Sequence, residues 1–174
     1  MAQLLVTIPG VPLAKKRHRS VPMHQCLGCH KTVQGMYSVC PTCGGGLRFL
    51  KNISYPDSES VRYENLVAYS LRQAMDKAGI QMLNSGLKMR LTFLFPMPDS
   101  RQHRPGAPCP GNGCKKLHTG DSHTQRPDLD NCIKSILDGG NGVLYADDDV
   151  ICELSARKIW ASEGKTEIIV ETLS

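Results

Sequence analysis

Acidic side chains occur at two places where they could hold a divalent metal ion. Asp128 and Asp130 begin a segment of helical periodicity directly after Pro127, and the run 147–149 of three aspartates precedes a predicted strand. Aspartate at a helix start is also a common capping device, so the first pair alone leaves capping and metal binding open. The second run favours a metal or a basic partner, because three adjacent carboxylates repel one another.

A lysine stands at a spacing that suits phosphodiester chemistry. Lys134 follows Asp130 by four residues and therefore lies on the same flank of the predicted helix. Carboxylates hold Mg²⁺, the ion activates water and neutralises phosphate, and a nearby lysine stabilises developing charge. A helix start and a strand start can meet at one edge of a sheet. These residues predict metal-assisted hydrolysis of a phosphodiester.

Four cysteines near the N-terminus are typical of a zinc site. They form two Cys-x2-Cys pairs separated by ten residues, followed by three glycines; the cysteines are Cys26, Cys29, Cys40 and Cys43. Two such pairs close an all-sulfur tetrahedral shell, a coordination that zinc favours. The alternative is four free cysteines or a redox pair. A closed four-cysteine shell has no open position, so the predicted zinc is structural, within an insertion over residues 24–50 that the metal stabilises.

A polar loop over residues 96–125 contains a second group of histidines and cysteines. The group is His103, Cys109, Cys114, His118 and His123. The spacing Cys-x4-Cys-x3-His is compatible with a second zinc ion, bound by Cys109, Cys114, His118 and His103. The alternative is a flexible polar loop in which these residues are incidental. Cys132 and Cys152 fall in a predicted helix and strand, where we expect small buried core residues.

The overall charge fits a polyanionic partner. The formal net charge is +5, and residues 15–19 include the basic residues Lys15, Lys16, Arg17 and Arg19. Such a run is more commonly a solvated loop, but it follows a strand and includes no acidic residue, so phosphate contact is a fair alternative. No apolar run is long enough to cross a bilayer, and the N-terminus resembles a strand more than a signal peptide. We therefore expect a cytoplasmic protein.

The hydrophobic pattern predicts an α+β fold, a mixed β-sheet with two packed helices, in one domain over residues 1–174. The expected elements are a strand at 3–8, a basic loop at 9–23, the insertion at 24–50, a helix after the cap Asp57-Ser58 that ends at Gly79, a strand at 87–95, a helix near 128–139, and strands near 150–160 and 166–172. The order of strands and helices suggests helices packed on a mixed sheet.

Several motifs in the second half resemble, in order and spacing, the signature of the RusA family. These are Arg126-Pro127-Asp128-Leu129-Asp130-Asn131, Lys134, Leu137-Asp138-Gly139, Gly142-Val143-Leu144-Tyr145 and Asp147-Asp148. Similar features are Ile8-Pro9-Gly10 at the start, and Glu153-Leu154 with Arg157-Lys158 near the end. The family comprises Holliday-junction resolvases common in bacteriophages and prophages. The resemblance covers roughly everything except the cysteine insertion and part of the long loop.

The resemblance implies roles for individual residues. Asp128, Asp130 and Asp148 match the metal-binding aspartates, Lys134 matches the catalytic lysine, and Asp147 matches a supporting aspartate. It further implies a homodimer that cuts two strands of a DNA junction with Mg²⁺. The strand at 87–95, in which apolar and polar residues alternate cleanly, is a second reason to expect a dimer. Departures are Val150 in place of a frequent glutamine, Cys132 in place of a larger apolar residue, and the cysteine insertion itself.

Three hypotheses of function follow from these residues. The first is a Mg²⁺-dependent endonuclease that cuts Holliday junctions and other branched DNA. The second is a zinc-ribbon module that binds DNA or protein and whose acidic residues are structural. The third is a catalytically silent relative that acts as an architectural dimer. The intact set of three aspartates and one lysine favours the first hypothesis.

Overall fold

The computed structural model describes residues 3–102 and 116–173. In chain order its elements are β1 (Gln3–Pro9), β2 (Arg19–Cys26), β3 (Thr32–Gln34), β4 (Leu47–Tyr55), α1 (Ser58–Ala78), β5 (Leu87–Pro96), a 3-10 turn (Asp99–Arg101), α2 (Leu129–Gly140), a second 3-10 turn (Asp148–Val150), β6 (Ile151–Ala161) and β7 (Lys165–Thr172). Contacts divide them into two units. One unit contains the described residues up to Lys15 and from Arg62 onward, and the other is Lys16–Val61.

The first unit is built on a mixed four-stranded sheet in the order β1-β7-β5-β6. β5 pairs parallel with β6 and antiparallel with β7, and β7 pairs antiparallel with β1. Alternate residues of β1, namely Leu4, Val6 and Ile8, are buried, as the period of a half-buried strand requires. With the two helices, this sheet confirms the predicted α+β class.

Both helices bury one face in the same core as the sheet. α1 contributes Tyr63, Val67, Leu71 and Met75, which recur every four residues, and it ends at Gly79, whose φ is +65°. Asp57 caps α1 as predicted, since its carboxylate accepts hydrogen bonds from the backbone N–H groups of the second and third residues after it. Among the described residues, no helix is long and apolar enough to cross a membrane.

The close approach of α2 to α1 depends on Gly139. A Cβ atom at this position would lie 2.7 Å from the Cβ atom of Val67 and 2.9 Å from the backbone oxygen of Glu64. Such distances are shorter than ordinary van der Waals contact. Only a glycine therefore allows α2 to pack against α1 at this point. This packing fixes the position of α2 in the core, and with it the position of the first residues of the helix.

The second unit is a three-stranded antiparallel sheet in the order β3-β2-β4. It extends beyond the predicted insertion of residues 24–50 at both ends. The predicted basic loop over 9–23 is wrong in its last part, because β2 begins at Arg19 and pairs with β4 along its whole length. Loop-forming residues there are overridden by the ladder with a strand distant in sequence.

Two further expectations about packing need correction. Cys132 is buried as predicted, but Cys152 is exposed. β5 is apolar because it lies between two strands under both helices, not because it offers a surface to a second chain. Residues Leu91–Phe95 are all buried, so the clean alternation expected along this strand is lost in its second half.

Candidate functional site

The two aspartates at the start of α2 are available for a ligand. Asp128 takes the N-cap position with extended backbone (φ −69°, ψ 142°), but its side chain makes no capping hydrogen bond. Asp130 lies in the first helical turn, and both residues are exposed. The capping role weighed for Asp128 is therefore absent, and within residues 3–102 and 116–173 its carboxylate forms no ion pair.

Lys158 fixes the chain just before these aspartates. Its ammonium group donates hydrogen bonds from β6 to the backbone oxygens of Gln125, at 2.8 Å, and Pro127. No role for this lysine could be predicted beyond the family-like pair Arg157-Lys158, because the contact joins residues 31 positions apart. A strand of the main sheet thus orients the entry into α2.

Lys134 and Asp130 form the ion pair that their spacing predicts. The Lys134 ammonium lies 3.2 Å from a carboxylate oxygen of Asp130, and both side chains are more than half exposed. The hydrogen bond from Lys134 holds the pKa of Asp130 below its usual value. Asp130 therefore keeps its negative charge, with a cationic group already beside it.

The second acidic run forms a 3-10 turn that lies beside α2. Asp147 caps this turn by accepting a hydrogen bond from the backbone N–H of Asp148 at 2.8 Å. Burial raises the pKa of Asp148, and the negative charges of Asp147 and of Asp138 on α2 raise it further. A cation near Asp148 would relieve this repulsion. Asp138 was not assigned a role from the sequence.

The structure brings the predicted metal ligands to α2 and the adjoining turn, but not into a closed shell. Within residues 3–102 and 116–173, the four cysteines are the only set of three or more candidate ligands whose ligand atoms lie within 4.8 Å of one another. Asp130 lies against Lys134, and Asp148 lies near Asp147 and Asp138. The carboxylates thus form two groups bordering one helix.

The four cysteines form two knuckles of matching geometry. The residue after each pair, His30 and Gly44, has a positive φ, of 58° and 72°. Its backbone N–H donates to the oxygen of the first cysteine of the pair, at 3.1 Å for Cys26 and 2.8 Å for Cys40. Sulfur–sulfur distances are 3.4 Å (Cys26–Cys43) and 3.7 Å (Cys29–Cys40). Four Zn–S bonds of about 2.3 Å give tetrahedral edges of roughly 3.8 Å, so the four sulfurs are compatible with a zinc ribbon.

The electrostatics of this group also suit a cation. Backbone amides of Thr42 and Cys43 lower the pKa of Cys40 to about 6. Cys43 is favoured as a thiolate by the Gly45 amide, but its hydrogen bonds with Cys26 and Cys29 raise its pKa to about 12. Thiolates therefore compete for protons when no cation balances them. A dication bound by all four sulfurs removes that competition.

Comparison with known families decides the identity of the larger unit. The family described as Endodeoxyribonuclease RusA matches residues 44–171, which is more than half of the chain. The chain belongs to the RusA endodeoxyribonuclease family. The match includes Asp128, Asp130, Lys134 and Asp148, and it leaves out the four cysteines and the start of the chain. The RusA resemblance drawn from the motifs is thus confirmed over the second half.

A curated relative of this RusA chain is similar over a shorter stretch. It is the uncharacterized protein YqaN of Bacillus subtilis (strain 168), which is 28% identical over 80 residues. These are 44% of this chain and 56% of the relative, so the chain matches little more than half of that relative's length.

The basic run of the RusA chain divides into paired and unpaired residues. The Lys15 ammonium binds the carboxylates of Asp138 and, at 3.2 Å, Glu64, and its side chain is 27% exposed. Burial opposes its charge, but both hydrogen bonds together raise its pKa. Lys16 binds Glu59, and Arg19 lies 3.9 Å from Asp57. Among the described residues Arg17 forms no ion pair, so the structure separates it from Lys15.

Replacing Lys15 should lower stability and leave DNA binding unaffected. Lys15→Met leaves two carboxylates unpaired at a partly buried position, which we expect to cost about 1–2 kcal/mol of unfolding free energy. Thermal denaturation measures this loss. Arg17→Met is the control and should show the reverse, with normal stability and a smaller salt dependence of DNA affinity. If the Lys15→Met protein has normal stability and reduced DNA affinity, Lys15 contacts DNA and its structural assignment is wrong.

The second predicted zinc site lies mostly outside the described residues. This holds for His103, Cys109 and Cys114. His118 is exposed, and its backbone N–H donates to Asp121 at 2.8 Å. His123 is buried between the rings of Phe95 and Trp160, with centroids 4.1 and 4.2 Å away, so it belongs to the core. His123 was grouped with the polar loop but was not one of the four predicted ligands, and its backbone N–H donates to the Lys158 oxygen of β6 at 3.0 Å.

Proposed function

We propose that this chain is a Mg²⁺-dependent, structure-selective endodeoxyribonuclease that hydrolyses phosphodiesters in Holliday junctions and other branched DNA. The observation that supports it most is the start of α2. There Asp128 and Asp130 present carboxylates that are not used for capping, beside Lys134, in a member of an endodeoxyribonuclease family.

The donor set suits Mg²⁺, a hard cation that takes oxygen ligands. Asp128, Asp130 and Asp148 would hold the ion, and their two groups border the same helix. Bound there, Mg²⁺ would supply positive charge to activate water and to neutralise the scissile phosphate. Besides burial, the negative charges of Asp147 and Asp138 contribute to the raised pKa of Asp148, and a bound cation would offset their repulsion.

The protein's own residues orient these carboxylates. Lys134 would give up its ion pair with Asp130, and its ammonium group would stabilise the negative charge that develops on the phosphate. Asp147 supports Asp148 by capping its turn, and Lys158 holds the backbone that leads to Asp128. Arg17, Lys16 and Arg19 would contact the phosphates of the DNA, whereas Lys15 serves structure.

The four cysteines would hold one structural zinc ion per chain. The shell uses all four sulfurs and leaves no position for a substrate, so the ion stabilises the ribbon and takes no part in hydrolysis. Whether Cys109, Cys114, His118 and His103 bind a second ion is a separate proposal. Zinc content near two equivalents, falling by one in Cys109→Ser plus Cys114→Ser, would support it, and unchanged content would exclude it.

We expect a twofold homodimer, since a junction offers two symmetrical scissile phosphates. β5 is buried and cannot form its interface. The exposed side chains of Leu5 on the outer strand β1 and Tyr69 on α1 flank a groove that could do so. Light scattering at micromolar concentration should give the dimer mass, and Leu5→Lys should shift it toward the monomer. A monomeric wild type would contradict the proposal.

Structure selectivity is tested with matched DNA substrates. A synthetic four-way junction and a linear duplex containing the same sequences are incubated with enzyme and Mg²⁺. We expect nicks at symmetrical positions in the junction and intact linear duplex. If both substrates are cut at equal rates, the protein is a nuclease that does not select branched DNA.

A further inference from the structure

The zinc-ribbon unit has an unusual distribution of charge. Every one of the 16 acidic residues of the chain lies at or after Asp57, so the sheet β3-β2-β4 includes none. The segment 19–55 includes four basic residues, Arg19, Lys31, Arg48 and Lys51. A zinc ion bound by four thiolates would add about two negative charges and leave the segment near +2. The sheet is therefore cationic with or without the metal.

Strand register places three of these basic residues on one face. Arg19 is opposite Tyr55, Met23 is opposite Lys51, and Gln25 is opposite Arg48. Residues 19, 23 and 25 of β2 point to the same side, because side chains alternate along a strand. A hydrogen bond of 2.9 Å from the Gln34 amide to the Tyr55 hydroxyl spans this side. We call Arg19, Arg48 and Lys51, with Gln25, Gln34 and Tyr55, the basic face.

The opposite face has a different character. His24 and Phe49 are paired there, with ring centroids 5.8 Å apart, and Pro22 lies beside them. Asn52 and Ser54 of β4 also point to this side and are exposed. It holds no lysine or arginine among its strand residues. One narrow sheet thus presents a cationic face and an uncharged one.

Two of the three charges of the basic face have no acidic partner among the described residues. Arg48 and Lys51 are exposed and form no ion pair within the part of the chain that the structure describes. Arg19 is 81% exposed and has Asp57 at 3.9 Å. Exposed cations without acidic neighbours leave a positive potential that attracts a polyanion, and DNA releases counterions when such cations contact its phosphates.

We propose that the basic face of the ribbon extends the DNA-binding surface beyond the basic run, and that Arg48 and Lys51 contact backbone phosphates there together with Arg19. This inference deepens the proposed function, since it assumes a DNA substrate, but it assigns no role in hydrolysis to the ribbon. Its contacts are to phosphate, so they add affinity for any DNA without choosing sequence. The ribbon then acts as a DNA anchor that the chain links to the nuclease unit.

Two double variants with equal charge change test the surface. Arg48→Gln plus Lys51→Gln removes two positive charges from the basic face. Asn52→Asp plus Ser54→Asp adds two negative charges to the opposite face of the same strand. Zinc content and melting temperature must match the wild type in both, and Arg48→Lys plus Lys51→Arg is available as a variant that keeps the charge.

Affinity is measured by anisotropy with a four-way junction and with a linear duplex across a range of salt. The Arg48→Gln plus Lys51→Gln protein should bind both DNAs about tenfold more weakly. The slope of the logarithm of its binding constant against the logarithm of salt concentration should decrease in magnitude by roughly two. The Asn52→Asp plus Ser54→Asp protein should lose no more than about twofold. Cleavage of junction at saturating enzyme should equal the wild type in both variants.

The outcomes separate this inference from the proposed function. Unchanged DNA affinity and salt slope in the basic-face variant, or equal losses of affinity in both variants, would overturn the inference. A protein partner would then be the alternative ligand of the ribbon. A wild type that binds DNA through the basic face but cuts no junction would sustain the inference and defeat the proposed function. A wild type that binds neither DNA would defeat both.

Discussion

Asp130→Asn is expected to bind a four-way junction at least as tightly as the wild type and to cut it about 10³-fold more slowly. The change keeps the shape of the side chain and removes one hard anionic ligand and the partner of Lys134. Loss of several kcal/mol of charge stabilisation in the transition state corresponds to a rate reduction of about this size. Removing a negative charge near the DNA backbone reduces repulsion of the phosphates, and most of the affinity comes from basic residues elsewhere.

Related variants define the site around this result. Asp128→Asn and Asp148→Asn should behave like Asp130→Asn, since all three are assigned to one ion, and Lys134→Ala should bind Mg²⁺ normally but fail to cut. Asp149→Asn is the matched control, because it makes the same chemical change at an exposed neighbour without an assigned role. Single-turnover cleavage and anisotropy are measured on each protein. Equal rates for the Asp130 and Asp149 variants would mean that the carboxylate assignment is wrong.

Cys26→Ser plus Cys29→Ser is expected to release the zinc and unfold the ribbon. A structural zinc site contributes on the order of 10 kcal/mol to the folding of a small domain, and the core of the ribbon is confined to Cys26, Val33 and Cys40 with few neighbours. Elemental analysis should fall from about one zinc per chain to none, and hydrogen exchange over the ribbon strands should become fast.

The control for this prediction is Cys152→Ser, an exposed cysteine outside the shell. It should keep full zinc content and normal exchange. Exchange in β5 and β7 should stay slow in both variants, because their core contains no cysteine of the shell. A freshly reduced wild type without zinc, or a double variant whose ribbon stays protected, would contradict the zinc assignment.

The sequence predicts those features that depend on local pattern. Pro127 and Asp128 set the start of α2, the interval from Asp130 to Lys134 matches one helical turn, and alternation along residues 3–8 defines β1. The paired Cys-x2-Cys spacing predicts the knuckles because each forms within five residues. In these cases the contacts join near neighbours, so spacing alone is enough.

The features that the sequence misses depend on pairs that are distant along the chain. Lys15 was assigned to DNA because the basic run follows a strand and contains no acidic residue, yet it binds Asp138, which is 123 residues away. Lys158 of β6 donates hydrogen bonds to the backbone just before α2, which lies 31 to 33 residues earlier in the chain. The basic face also depends on a register shift in β4 between the partners of Met23 and His24, which puts Arg48 and Lys51 on one side. One available indication was overlooked, namely the absence of acidic residues before Asp57.

The most direct test of the central claim is cleavage of a four-way junction by the wild type with Mg²⁺ and with EDTA, in parallel with Asp130→Asn. The account predicts symmetrical nicks by the wild type in Mg²⁺, none in EDTA, restored cutting when Mg²⁺ is added back, and almost none by Asp130→Asn although it binds the junction. Binding without cleavage by the wild type in Mg²⁺ would contradict the account and favour a silent or zinc-ribbon binding protein.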